Sequence, residues 1–204
     1  MANDQGARYG FSPIFANDSP PKLLYYPANT AVNIFRGQLV VANNSGQVQV
    51  VAAGVTGNIF ALGIAWEFLD PSQAGLPTSM TTTSAGAFLP SGTNANIGVI
   101  WDPYQLYVTE EITGGTAITA LSAGLGVDFT YTATTGNTNT GFATTVLNNV
   151  GLTGGTANLL QLLNPLNIIN QDGTVNAASS ASCKWVVRIQ RHQYAFQAAP
   201  LLNT

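Results

Sequence analysis

Gln38-Leu39-Val40-Val41-Ala42-Asn43-Asn44-Ser45-Gly46-Gln47-Val48-Gln49-Val50-Val51 reads as two short β segments, residues 38–42 and 47–51, joined by a four-residue connection. The flanks are rich in β-branched residues, and Asn43-Asn44-Ser45-Gly46 supplies residues that tolerate positive φ, as a hairpin turn requires. Outward from this hairpin, short apolar segments alternate with Gly-, Asn-, Ser- and Thr-rich connections. Residues 31–35 precede it. Residues 59–68 form a longer apolar run, and Gly63 within it marks a bend or bulge where a side chain is missing. Residues 97–101 and 105–111 flank the turn signal Asp102-Pro103.

The second half repeats this grammar. Residues 125–133 and 142–147 flank a polar tip at 134–141 and read as a second hairpin. Residues 159–163, 166–169 and 184–191 complete the strands. Residues 70–98, with three prolines and a Ser/Thr/Gly-rich stretch, read as a long loop of the kind that reaches a neighbour. Only residues 117–123 would admit a helical turn. Thr113-Gly114-Gly115-Thr116-Ala117 recurs verbatim as Thr153-Gly154-Gly155-Thr156-Ala157, but two copies with dissimilar flanks make no solenoid. Residues 1–30 carry Pro13, Pro20, Pro21 and Pro27, which oppose both a helix and a long central strand. The expectation is an all-β chain. Residues 1–30 form an extended N-terminal arm, and residues 31–204 form a single compact β-sandwich or barrel-like domain with long loops and little helix.

Charge is distributed unevenly. The 147 consecutive residues 37–183 contain no Lys or Arg, while carrying Glu67, Asp70, Asp102, Glu110, Glu111, Asp128 and Asp172. Residues 1–36 net to +1 and residues 184–204 to +3, so the overall −3 describes an acidic body with basic ends. Charged residues make up 7% of the chain, against about 25% in ordinary soluble domains. A surface so poor in charge resists association weakly, which points to coverage by copies of the chain or by a scaffold. In the last strand Trp185, Val187 and Ile189 share one face, predicted to be core. Lys184, Val186, Arg188 and Gln190 share the other, with Arg191 and His192 just beyond. Half of the six bases thus gather at one edge, where an acidic partner surface is expected.

The residue inventory argues against catalysis. His192 is the only histidine and Cys183 the only cysteine, so a nucleophile–histidine site must use His192, whose neighbours Arg188 and Arg191 disfavour its protonated form. Cys183 reads as a small buried residue at a strand start. One His and one Cys make no closed zinc site, and no Asp-x-Asp-x-Asp-Gly calcium loop occurs. Adjacent Glu110 and Glu111 point to opposite faces of a strand and form no carboxylate dyad. The two lysines follow no phosphate-binding glycine loop, and a body without cations opposes nucleic-acid binding. Neither a catalytic residue nor a cofactor or metal is therefore expected. No run approaches 18 apolar residues, and residues 1–10 lack the apolar core of a secretory signal, so synthesis in a cytosol-like compartment and no membrane partner are expected.

Four stretches resemble, in the same order, head decoration (cement) proteins of tailed bacteriophages. They are Arg8-Tyr9-Gly10-Phe11-Ser12-Pro13-Ile14, Phe35-Arg36-Gly37-Gln38-Leu39-Val40, Ala61-Leu62-Gly63-Ile64-Ala65 and Lys184-Trp185-Val186-Val187-Arg188-Ile189-Gln190-Arg191-His192-Gln193. The resemblance spans most of the chain. It implies a small β-rich accessory protein, often a homotrimer, made in the host cytoplasm. Such proteins sit on the capsid exterior near three-fold positions and clamp adjacent subunits of the major capsid protein. On that reading Arg8, Tyr9 and Phe11 of the arm, Arg36 at its end, and Lys184, Arg188 and Arg191 at the basic edge are the expected contacts. The central stretch 70–96 is longer and blander than the family pattern. Two other readings remain open at this point. One is a carbohydrate-binding β module on a virion surface with Trp101, Tyr104 and Tyr107 as a stacking platform. The other is a tail-tube or fibre subunit.

Overall fold

The computed structural model describes residues 10–14, 21–29, 31–52, 59–69, 88–111, 118–119, 124–138, 140–153, 158–166, 174–178 and 183–194. Among these residues there is no helix, and the all-β expectation holds. The strands are β1 (Ser12–Pro13), β2 (Leu23–Asn29), β3 (Ile34–Phe35), β4 (Leu39–Ala42), β5 (Val48–Val50), β6 (Gly63–Leu69) and β7 (Phe88–Leu89). They continue with β8 (Asn94–Ile100), β9 (Leu106–Glu110), β10 (Gly126–Gly136), β11 (Ala143–Thr153), β12 (Leu160–Pro165) and β13 (Lys184–Ile189). They form a six-stranded sheet in the order β1-β9-β13-β12-β10-β11, a five-stranded sheet in the order β2-β8-β6-β4-β5, and the small pair β3-β7. All ladders between these strands are antiparallel.

Both large sheets curl. In the five-stranded sheet the two edge strands, β2 and β5, approach each other without forming a ladder. In the six-stranded sheet the far strand β11 returns to the end of β9 through a single parallel bridge, Glu111 to Leu147. Each sheet stops short of a closed barrel, and the two pack as a sandwich.

Two cores result. The larger contains Leu39, Ile64 and Ile100 from the five-stranded sheet with Tyr107, Phe129, Trp185 and Val187 from the six-stranded sheet. The smaller, inside the curl of the five-stranded sheet and beneath β3-β7, contains Ile34, Val40, Ala65, Phe68, Leu89, Ile97 and Val99. Neighbours such as Leu39 and Val40, or Ile64 and Ala65, therefore enter different cores. Residues 39–40 of β4, 63–65 of β6 and 97–100 of β8 are buried on both faces and read as unbroken apolar runs, while the start of β8 alternates exposed Asn94 and Asn96 with buried Ala95 and Ile97.

A bulge keeps this arrangement consistent. In the β6–β8 ladder Ala65 opposes Val99 and Glu67 opposes Gly98, so Trp66 is the extra residue. With regular alternation Glu67 would face the same side as Ala65, into the smaller core. The bulge turns the carboxylate out and returns Phe68 to the core. The sequence reading put the irregularity at Gly63 instead. Gly63 opens β6 with φ of 155°, and a Cβ there would lie 2.0 Å from the Ile100 carbonyl oxygen, so its role is close strand approach.

The arm differs most from expectation. Of residues 1–30, the described parts are built into the sheets: β2 pairs along its whole length with β8, and β1 pairs with β9. Phe11 is fully buried, edge-on to the rings of Tyr107 and Phe129 at 6.4 Å and 6.2 Å between centroids. Prolines are tolerated because both strands are sheet edges. The expected loop 70–98 is shortened at its end by β7 and β8, and residues 70–87 lie outside the described residues. Residues 167–169, most of 117–123 and most of the repeated segments also lie outside them.

The stacked pair Phe35–Phe88, 5.1 Å between centroids, lies against β10 at Gly136, where an added Cβ would sit 2.2 Å from the nearest atom of the Phe35 ring. Gly136→Ala is expected to cost about 1–3 kcal/mol in urea unfolding, the usual penalty for overpacking. Because the clash is with Cγ, Cδ1 and Cδ2 of that ring, the double variant Gly136→Ala/Phe35→Ala, which removes all three atoms, should lose less than the sum of the single losses. Strict additivity would contradict the contact.

Candidate functional site

The outward face of the six-stranded sheet is built from cross-strand register. Lys184, Val186 and Arg188 of β13 lie opposite Glu110, Val108 and Leu106 of β9. On the other side of β13, Arg188 lies opposite Gln161 of β12. Directly opposed residues share a face, so these side chains form one patch. Arg188 is exposed, and its Nε donates to Gln161 Oε1 at 2.6 Å. Lys184, Leu106 and Val108 are half-buried, and Glu110 and Val186 are buried. Trp185, Val187 and Ile189 face the larger core, as the alternation predicts.

Two parts of the basic-edge expectation change. β13 is an interior strand between β9 and β12, so its cations stand on a face and not along an edge. Arg191 leaves that row. The strand has ended, the Arg191 carbonyl accepts from the Ala61 amide at 2.8 Å, and its guanidinium lies 4.8 Å over the Phe60 ring.

Arg36 is an internal clamp. It bridges to Phe142 in parallel fashion, its amide donating to Gly141 and its carbonyl accepting from Ala143. Its Nε donates to the Trp66 carbonyl at 2.8 Å, and its guanidinium lies 5.5 Å from the Trp66 ring and 5.6 Å from the Phe142 ring. Burial lowers its pKa and the nearby Glu67 opposes that shift, which leaves the group charged at any ordinary pH. The side chain thus joins β6 to the start of β11 across the two sheets. Phe11, expected as a contact, is likewise spent on the core, because a fully buried ring presents no surface to a partner. Arg8 and Tyr9 lie outside the described residues.

The expected sugar-stacking trio is split. Tyr107 is buried in the larger core, its pKa raised by burial and by Asp102, so it is withdrawn from any platform. Tyr104 is 81% exposed on a turn in which the Asp102 carboxylate accepts from the Tyr104 amide. Trp101 is half-buried and meets Tyr194 edge-on at 5.5 Å.

Glu110 and Glu111 do point to opposite faces. Glu111 is buried, accepting from the Ile118 amide at 2.7 Å and from the Trp185 indole at 3.3 Å, while Glu110 faces Lys184 across the ladder. Among the described residues no group of three or more His, Cys, Asp or Glu side chains is placed to hold a metal ion, and no helix is long and apolar enough to cross a membrane. Residues that sequence reasoning did not single out are Gln161, Leu106 and Val108, which surround Arg188. Their outward alternation was visible, but the pairing that assembles them was not. No protein-family model matches the chain, and no curated protein matches it.

Cys183 is fully buried next to β13, and its pKa is pushed up to about 11 by burial and then by the charge of Glu111. A thiol-specific reagent at pH 8 is expected to leave the folded protein unmodified and to label it once in denaturant, since the thiolate is the reactive form. Rapid labelling of the native protein would contradict this placement. Arg36→Ala is expected to destabilise the isolated protein by about 2–3 kcal/mol in urea unfolding, the scale of a lost charge-assisted bond together with ring contacts. Arg36→Lys should restore only a minor part, because an ammonium cannot lie flat between two rings. A residue serving only an external contact would leave the stability of the isolated protein unchanged.

Proposed function

We propose that this chain is a noncatalytic virion structural protein. It decorates the exterior of an icosahedral phage head as a homo-oligomer, with a trimer favoured, and bridges subunits of the major capsid protein. The observation that carries this reading is the outward patch of the six-stranded sheet. There Arg188 and Lys184 stand beside half-buried Leu106 and Val108, in a chain with no base from residue 37 to residue 183. A patch that combines apolar area with directional cations fits an acidic protein surface better than it fits a small-molecule substrate. The resemblance of the four ordered segments to head decoration proteins supports the same class. Bridging subunits would stabilise the shell by mass action, because ligand bound only to the assembled state shifts its equilibrium.

The test is cosedimentation with purified capsids that lack the protein, with imaging of the complexes and mass determination of the free protein. The variant Arg188→Glu, which reverses the exposed cation and spares Lys184 opposite Glu110, is expected to bind at least about tenfold more weakly at physiological salt, with a thermal midpoint close to that of wild type. Wild-type protein that fails to associate with capsids, or a variant that decorates them as fully as wild type, would refute the assignment.

A further inference from the structure

The end of β13 continues into a short segment, residues 190–194, that crosses from the six-stranded sheet to the five-stranded one. Gln190 is still tied to the first sheet, its amide donating to Leu159 and its side chain to the Asn158 carbonyl. Two residues later the chain belongs to the second. Ala61 donates to Arg191 and accepts from Gln193, both at 2.8 Å, forming a parallel bridge centred on His192. The Gln193 side chain meets the backbone of Ala42, and the Tyr194 hydroxyl bonds that of Tyr26 on β2. Residues 191–194 therefore act as a strap over the five-stranded sheet.

His192 is buried beneath this strap, 1% exposed. Its Nδ1 accepts the Tyr194 amide at 3.1 Å, which requires that Nδ1 carry no proton and that the single proton of the neutral ring reside on Nε2. Nε2 is buried, faces the Leu62 backbone and makes no hydrogen bond of good geometry. A second proton can enter only at Nδ1, where two N–H groups would then confront each other. The bond that fixes Tyr194 would be lost, and a charge would be left in an apolar site.

We propose that His192 is an acid-sensitive latch: its protonation releases the strap formed by residues 191–194 from the five-stranded sheet while both sheets remain folded. Burial holds the imidazole pKa down at about 4, and Asp102 and the Leu62 backbone oppose that shift. The charged group facing the ring is Asp102, from the turn after β8. The other titratable neighbours are the phenols of Tyr26 and Tyr194, which are hydrogen-bonded to each other, and Arg191, whose guanidinium is turned onto Phe60. The sign follows from linkage. The open strap returns His192 to an ordinary pKa near 6.5, so the open form binds more protons between pH 6.5 and 4. The latch is fully closed above that window and weakens as pH falls through it.

Because the chain has one histidine, its imidazole signals are unambiguous. Nitrogen chemical shifts at pH 7 should report the tautomer protonated on Nε2, and finding the proton on Nδ1 would overturn the proposal. Hydrogen exchange, corrected for intrinsic rates, should show the amides of Ala61, Gln193 and Tyr194 losing protection together, on the order of tenfold from pH 7 to pH 5. The amides of Leu162 and Val187 should hold their protection over the same range. Their loss in step would mean global acid unfolding and would also overturn the proposal. In His192→Gln, which cannot titrate, the acid dependence at Ala61 should vanish, and its persistence would refute the latch. Should that variant fail to fold, Tyr26→Phe supplies the second reading. It removes one strap bond while sparing His192, so strap exchange should be faster at every pH with the same acid dependence, and loss of that dependence would count against His192 as the sensor.

Discussion

The two-sided burial of the central parts of β4, β6 and β8, residues 39–40, 63–65 and 97–100, is the constraint from which most of the structure follows. A strand with solvent on one face can carry a charge at every second position. A strand with a core on each face can carry none without a large desolvation penalty. Val40 and Leu39, Ala65 and Ile64, and Val99 and Ile100 leave no position for an ionic group. The one carboxylate in these strands, Glu67, is accommodated by a bulge that turns it outward. There it accepts from the Tyr25 hydroxyl at 2.8 Å across Gly98, a residue whose missing side chain makes room for the tyrosine ring. Burial and this bond raise the Tyr25 pKa. The scarcity of charge in the middle of the chain is thus in part a consequence of architecture.

Placing one sheet inside another's contact surface creates a second requirement: the sheets must be joined where no ladder connects them. Three seams do this with backbone bonds. The Phe11 amide donates to Gly37, Arg36 brackets Phe142, and Ala61 brackets His192. One seam is completed by a glycine and two by polar side chains. Gly10, with φ of 60°, sits where a Cβ would be 2.7 Å from the Gly37 carbonyl oxygen. Arg36 and His192 are the other two. The polar residues at the seams carry out a joining task that apolar packing, being non-directional, cannot perform.

Local features of this fold were legible in the sequence, and its long-range features were not. The Asn43–Gly46 turn and the alternation of residues 184–189 depend on neighbours in the chain, and the structure has both the β4–β5 ladder and the inward row Trp185, Val187 and Ile189. Pro27 argues against a central strand, so residues 23–29 read in sequence as part of an arm. The strand exists as an edge, and that position is decided by β8, about 70 residues away. Tyr107 was grouped with Trp101 and Tyr104 by proximity in sequence, yet a strand residue and two turn residues need not share a surface. The resemblance to decoration proteins makes Arg36, at the end of the arm, and Arg191, at the basic edge, expected contacts. Their partners proved to be aromatic rings of the same chain, contacts that depend on strand register and leave no local pattern.

These internal assignments bear on how the chain could recognise anything else. Arg36 and Arg191 keep their charge but hold their guanidinium groups against rings of the same chain, so the cations that add a field at the outward sheet face are Lys184 and Arg188, and Lys184 faces Glu110. So small a field falls away within a Debye length of about 8 Å at physiological salt, and steers little from a distance. Recognition by the outward sheet face would then rest on close fit and hydrogen bonding, with Arg188, already oriented by Gln161, setting register more than strength. Contacts of that kind are individually weak. They become durable when several copies bind one rigid lattice together, since each bound copy presents its neighbours at high local concentration. A chain with little charge puts little electrostatic repulsion between copies held so close together.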